Sequence, residues 1–301
     1  MTFSVTKYRY VSYAFSAVLI IGSCIALAGY GLKQGIEFTG GSLMALRFDE
    51  RPSSPEVEQV LIDAVPDLGS VIIQPAGDKD IQIRLKALSE DEHQKASTGI
   101  KTKWPNVQEL RFDAIGPVIG QELRAKSIQG LIIVLIAIMA YVAYAFRKVQ
   151  APVQSWKYGL ITIFTAFHDT ILPLGVFALL GHFAGVEIGT PFVAAILTIL
   201  GYSITDTIVI LDRVRENLGK VDGTFAHIID ISMRQSFLRS FNTSITTLLA
   251  LVAIYLFGGA SLHEFTLALI IGIATGTYSS LFIAAPLLLS VDKFSKRYAR
   301  N

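Results

Sequence analysis

LTILGYSITDTIVILDRVREN, residues 197–217, reads as a membrane span until Asp212, Arg213 and Arg215 end it, yet Asp206 stands inside the apolar run. A charged side chain deep in a bilayer is disfavoured by roughly 3 kcal/mol even on lenient insertion scales. The acid is either buried among other helices for a purpose or tolerated through its depth. Thr198, Tyr202, Thr205 and Asp206 recur at three- and four-residue spacing, which places them in one stripe on a helix, with Arg213 near its foot. At ~1.5 Å per residue, Asp206 lies about 9 Å inside the nearer end of the span. An intramembrane acid within a polar stripe is a candidate for carrying a proton or an ion.

Composition agrees with a membrane setting. Hydrophobic residues make up 52% of the 301 positions and charged residues only 17%, too few to cover a soluble protein of this length. A net charge of +2 gives no reason to expect nucleic acid as a partner. The single cysteine, Cys24, excludes an intramolecular disulfide framework and a Cys-rich metal site. No cofactor is expected.

Apolar runs suited to a span of about 20 residues occur at Val11–Tyr30, Ser127–Phe146, Tyr158–Leu180, Phe192–Leu211, Asn242–Phe257 and Phe265–Ser290. The first follows Lys7 and Arg9, as a signal peptide would, but its apolar character continues past Cys24, so it is expected to stay uncleaved. Lys and Arg cluster before the first span, at Arg147, Lys148 and Lys157, at Arg213 to Arg239, and at Lys293 to Arg300, while the alternate short loops lack them. The positive-inside rule then predicts that both termini are cytoplasmic. The expected organisation is a cytoplasmic N-terminus at 1–10, a first helix at 11–30, an extracytoplasmic domain at 31–126, five further spans over 127–291 with a cytoplasmic loop at 212–240, and a basic tail at 292–301.

Within the polar insertion, Ser42–Phe48 alternates as a strand. Ser54 followed by Pro55 predicts a helix start, and Ser70–Gln74, Asp80–Leu88 and Val107–Phe112 read as strands. Ser89 and Glu92 have capping-box spacing and open a second helix. The order β-α-β-β-α-β fits a small α+β ferredoxin-like sandwich. Two glycine-rich stretches bracket it, one with Gly35, Gly40 and Gly41 and the other with Gly116 and Gly120. The first has no Lys-Ser/Thr after its glycines, so it is not a phosphate loop; tight turns and a hinge are the expectation.

Other spans also carry polar groups. His168 and Asp169 lie near the middle of the third, and adjacent residues there differ by about 100° in direction. Arg239 opens the fifth with Thr243 and Thr247 on its face, placed to reach Asp206 or to snorkel to lipid. Gly272 and Gly276 in the sixth form a small-xxx-small pair.

These elements together resemble the SecF family of bacterial protein-export proteins. The resemblance is carried by GIEFTGG (35–41), GPVIG (116–120), FHDTILPLG (167–175), GYSITDTIVILDRVREN (201–217) and RSFNTSITTLL (239–249). Glu37 stands where the family usually has Asp, and Thr205 where it commonly has Asn; both keep polarity. The resemblance implies a six-span α-helical half of an RND-type transporter in the bacterial cytoplasmic (inner) membrane. It also implies a SecD-like protein, the Sec translocation channel with its accessory subunits, and the translocating polypeptide as partners, besides membrane lipid. Asp206 would be the proton-carrying carboxylate and Arg239 its charged partner, with His168 and Asp169 as additions, and proton or sodium flow would assist late, ATP-independent export. The other readings are an RND-type small-molecule or lipid exporter, a passive assembly scaffold, and an intramembrane aspartyl protease using Asp169 and Asp206. The last lacks a GxGD motif, and the chain is expected not to be an enzyme.

Overall fold

The computed structural model describes residues 4–76, 78–145, 147, 154–259 and 262–298. Lys148 and Arg300, counted above among the basic residues, lie outside the described residues. The chain divides into two compact units, Gln34–Gln129 and Met1–Lys33 with Gly130–Asn301.

Helix α1 (Val5–Tyr30) leads to the smaller unit. That unit comprises α2 (Ile36–Thr39), β1 (Gly41–Arg47), α3 (Ser54–Ala64), β2 (Ile72–Ala76), β3 (Asp80–Leu85), α4 (Glu90–Lys103) and β4 (Gln108–Ile115). The sheet is antiparallel in the order β2-β3-β1-β4, the ferredoxin-like arrangement. Alternation along the central strands sends Met44, Leu46, Ile81, Ile83 and Leu85 to one side, where Val57 and Leu61 of α3 and Ala96 and Ile100 of α4 close the core. Burying a large aliphatic side chain of this kind stabilises by about 1.5–3 kcal/mol.

Element boundaries differ locally from the sequence reading. Helix α3 is capped by Ser53 rather than Ser54; the Ser53 N–H and hydroxyl both donate to Glu56, at 3.3 and 2.9 Å. β3 ends at Leu85 because the Leu88 amide donates to the Ser42 hydroxyl at 2.9 Å instead of continuing the ladder. The Ser89–Glu92 capping box forms as expected.

The two glycine stretches pack together. Gly40 has φ +76° and ψ 164°, and a Cβ there would stand 2.7 Å from Pro117 Cα. A Cβ on Gly120 would stand 2.8 Å from the Gly40 nitrogen. Backbone therefore meets backbone where the domain's first and last turns close.

Helices α1, α5 (Pro117–Ala145), α6 (Ser155–Ala184), α7 (Thr190–Asn217) and α8 (Phe225–Phe257) are each long and apolar enough to cross a membrane. A sixth such rod runs from α9 (His263–Ser279) through a π-helical turn, Ser280–Ala284, into α10 (Ala285–Tyr298). Only 6% of the residues in the most apolar window of α5 are buried, against 50% in that of α6, so much of α5 is open to lipid or a partner. α6 meets α1 where Gly175 faces Ser23, and α9 meets α7 where Gly272 faces Ile199 and Gly276 faces Ser203. Missing side chains permit these close approaches.

Three expectations are corrected. Residues 212–240 are not a loop: α7 continues to Asn217 and α8 starts at Phe225. Ion pairs at helical spacing, Asp212–Arg215, Arg213–Glu216 and Glu216–Lys220, each 2.7 Å, hold the charged extension of α7 in helix. The first helix also starts earlier than the expected position 11. α1 starts at Val5, and Asp230 of α8 accepts from the Thr6 N–H (3.1 Å) and from the hydroxyls of Ser4 and Thr6 (2.6 and 2.9 Å), satisfying its first turn. Finally, α5 begins at Pro117, ten residues before the expected 127, because proline suits the first position of a helix.

Candidate functional site

Asp206 lies on α7 facing α8. Its Oδ1 accepts from the Ser240 hydroxyl at 2.5 Å, whereas its buried Oδ2 has no hydrogen-bond partner. Beside the carboxylate opens a cavity of about 420 Å³, lined by Thr198, Gly201, Tyr202, Thr205, Val209, Arg239, Ser240 and Thr243. The stripe singled out in the sequence thus surrounds one space. Thr198, Thr205 and Thr243 donate to carbonyls four residues back in their own helices, at 2.8, 2.8 and 2.9 Å, which leaves their oxygens available as acceptors on that wall. Tyr202 is fixed by Ser244 at 3.1 Å, and Ser244 by Thr277 at 2.6 Å.

Arg239 lines the same cavity but forms no ion pair with Asp206. Its neighbour Ser240 makes the contact instead. One helical step turns the serine inward, where it is buried, and leaves the guanidinium exposed on the cavity side.

His168 and Asp169 are both fully buried at the junction of α1, α6, α7 and α9. They diverge from the α6 axis, yet their side chains bend together: His168 Nδ1 meets Asp169 Oδ1 at 2.7 Å. The Asp169 Oδ2 accepts from Ser279 at 2.6 Å and from Ser203 in a short bond. His168 Nε2 meets Ser16 of α1 at 3.1 Å; Ser16 donates to Tyr278 at 3.3 Å, and Tyr278 donates to the Ser12 carbonyl at 3.0 Å. Both oxygens of Asp169 are therefore engaged, which does not suit the exposed, water-sharing acid pair of a protease. Ser240, Ser279 and Ser280 are not marked out by the sequence pattern. Their partners are on other helices, and nothing in local spacing reveals that.

Of the glycines singled out, Gly35 caps α2, Gly40 and Gly120 make the backbone contact described, Gly41 has φ +130°, and the Gly116 carbonyl accepts from the Gly120 N–H at 3.0 Å. All lie in the smaller unit, away from the intramembrane acids in sequence.

The combination of six spans, an acid-bearing cavity in the bundle and an α/β domain inserted after the first span defines a class of polytopic membrane protein. The chain belongs to the SecD/SecF family of protein export membrane proteins: the model for the C-terminal region of that family matches residues 95–293, and that for the SecD/SecF GG motif matches residues 25–50. Protein translocase subunit SecF of Thermobaculum terrenum is 38% identical over 297 residues, covering 95% of this chain and 93% of that one. The Haemophilus influenzae SecF subunit is 36% identical over 291 residues, 95% of this chain and 85% of that one. The crystal structure of SecDF, a translocon-associated membrane protein from Thermus thermophilus, superposes with a TM-score of 0.82 at 28% identity and covers 97% of this chain, which spans 39% of that one. A SecDF structure in a super-membrane-facing form gives a TM-score of 0.69 at 28% identity.

Proposed function

We propose that this protein is the SecF-type half of an ion-driven export motor. It works with a SecD-like partner beside the Sec channel, in the cytoplasmic membrane, with both termini on the cytoplasmic side and the α/β domain outside. Protons, or sodium ions, enter the cavity between α7 and α8 and bind at Asp206. The observation that carries this reading is the buried Asp206 Oδ2, which lacks a protein donor beside a polar cavity. A carboxylate oxygen without a partner is costly to bury, and a proton or a cation arriving on it removes that cost. Arg239, on the same wall, supplies positive charge that is felt by the carboxylate without occupying its oxygen. His168 and Asp169 belong to the same proton-coupling machinery deeper in the bundle. The glycines at 35, 40, 41, 116 and 120 serve as the hinge of the domain, which contacts the emerging polypeptide.

The test is Asp206→Asn in membrane vesicles containing the chain with its SecD-type partner. Translocation that continues under an ion gradient after ATP is exhausted is expected to disappear, while ATP-driven entry and recovery of the complex stay at the parental level. Gradient-dependent translocation at the parental rate refutes the assignment. Running the assay with a sodium gradient in place of a proton gradient identifies the ion.

A further inference from the structure

Two consecutive hydroxyls attend the two intramembrane acids. Ser279 donates to Asp169 at 2.6 Å, and its oxygen is also 3.1 Å from the Gly276 carbonyl, so its single proton has two acceptors. Ser280 meets α7 one residue beyond Asp206: its oxygen is 2.8 Å from Thr207 Oγ1 and 3.4 Å from the Ser203 carbonyl, and Asp206 Oδ2 has no hydrogen-bond partner. Ser203 in turn donates to Asp169. These serines and Thr207 are all fully or almost fully buried.

The backbone at this point is unusual in the same place. The π turn begins at Ser280. Such turns bond i to i+5, are marginal beside the α-helix, and occur frequently at functional sites. Gly276 lets α9 approach α7 here: a Cβ on it would stand 3.1 Å from Ser203 Cβ and 3.6 Å from Asp169 Oδ2.

We propose that Ser279 and Ser280 are positioning residues that link proton binding at Asp206 to the His168–Asp169 pair through the π turn of the sixth span. In the linked state, rotation of the turn brings the Ser280 hydroxyl onto Asp206 Oδ2 and draws Ser279 from Asp169 to the Gly276 carbonyl. In the alternative, a proton from the cavity occupies Asp206 Oδ2, Ser280 stays with Thr207, and Ser279 stays with Asp169. Hydroxyl protons change acceptor and no bond to carbon is made or broken. The titratable and charged groups around the two acids are His168 on α6, Tyr202 on α7, Tyr278 on α9 and Arg239 on α8, besides the acids themselves; α1 contributes Ser16. The inference rests on the reading of Asp206 as the proton carrier.

Infrared titration of the full chain with its SecD-type partner in lipid tests it. The carbonyl stretch of protonated Asp206 is the band that Asp206→Asn removes; if no titrating band is lost in that variant, the proton-carrier reading itself fails. Given the band, Ser279→Ala, which touches Asp169 and not Asp206, is expected to move its pH midpoint by about one unit, the size of a typical coupling between linked sites. Ser279→Thr, retaining the hydroxyl, should restore the midpoint, and in an Asp169→Asn background Ser279→Ala should move it no further. A midpoint unchanged in Ser279→Ala overturns the linkage. Should that variant not assemble, Asp169→Asn with and without Ser280→Ala decides: an unmoved Asp206 midpoint, or a shift that survives Ser280→Ala, refutes the linkage, and a shift that Ser280→Ala abolishes supports it.

Discussion

Replacing Gly40 by alanine should open the α/β domain, and the size of the effect follows from two terms. The backbone at Gly40, φ +76° and ψ 164°, lies in a region open essentially to glycine. Holding another residue there costs about 1–3 kcal/mol. The added methyl also stands 2.7 Å from Pro117 Cα and 3.0 Å from Pro117 N, both backbone atoms that no side-chain rotation can move aside. Overpacking of that kind costs about 1–3 kcal/mol, for a sum of about 2–6 kcal/mol. A domain of this size has roughly 5–15 kcal/mol in total, so even the low end raises the opened population about thirtyfold. Hydrogen exchange on the full chain in lipid reads this at the β1 amides of Met44 and Leu46, which sit in the centre of the sheet. Gly116→Ala is the matched comparison from the same junction: its Cβ meets nothing within 4 Å, and its φ is not positive. Protection in β1 should fall at least about thirtyfold in Gly40→Ala and stay at the parental level in Gly116→Ala. Equal protection in parent and Gly40→Ala would refute the reasoning, because neither strain nor crowding would then be present.

Two further outcomes are expected. The Glu92 carboxyl is held below the usual carboxylate range by the Ser89 N–H, then by the Ser89 hydroxyl and by Lys86, so its cap on α4 operates above that range and is lost as pH falls through the depressed value. Exchange at the Ser89 amide, corrected for intrinsic rate, should quicken below about pH 4 in the parent and be insensitive to pH in Glu92→Gln; a flat parental profile contradicts the cap. With Cys24 changed to alanine, a cysteine at Thr205 should react with a small water-soluble thiol reagent applied to the assembled chain, and one at Ser279 should not. Equal labelling of the two would mean that the cavity at Asp206 is not where the water is.

Much of this was open to inspection in the sequence because periodicity reports burial. The six apolar runs, the alternation of Ile81, Ile83 and Leu85, and the Ser89–Glu92 spacing each encode a local geometry that survives in the fold. Hydropathy failed at 212–217 and 225–241, where charge looks like loop although Arg213, Glu216 and Lys220 carry the spacing of helical ion pairs. The stripe Thr198, Tyr202, Thr205 and Asp206 was legible as one face, since a single helix defines it. Which group would touch Asp206 was not. Arg239 looked the stronger partner by charge, whereas the helix phase of α8 against α7 gives that contact to Ser240, and phase between helices is a property of packing. The meeting of His168 with Asp169 was hidden for a related reason: backbone directions 100° apart do not fix where two side chains end.

The π turn at Ser280–Ala284 has one more consequence, for the azimuth of the helix beyond it. A residue inserted into an α-helix advances everything downstream by about 100° around the axis, and a wide turn absorbs such a surplus residue. Beyond the turn, Leu288 and Leu289 are buried and Ser290 meets Tyr13 at 3.0 Å. Removing a single residue from the turn would therefore act as a rotation of α10 more than as a shortening, swinging its oily side away from the bundle while leaving its composition nearly untouched.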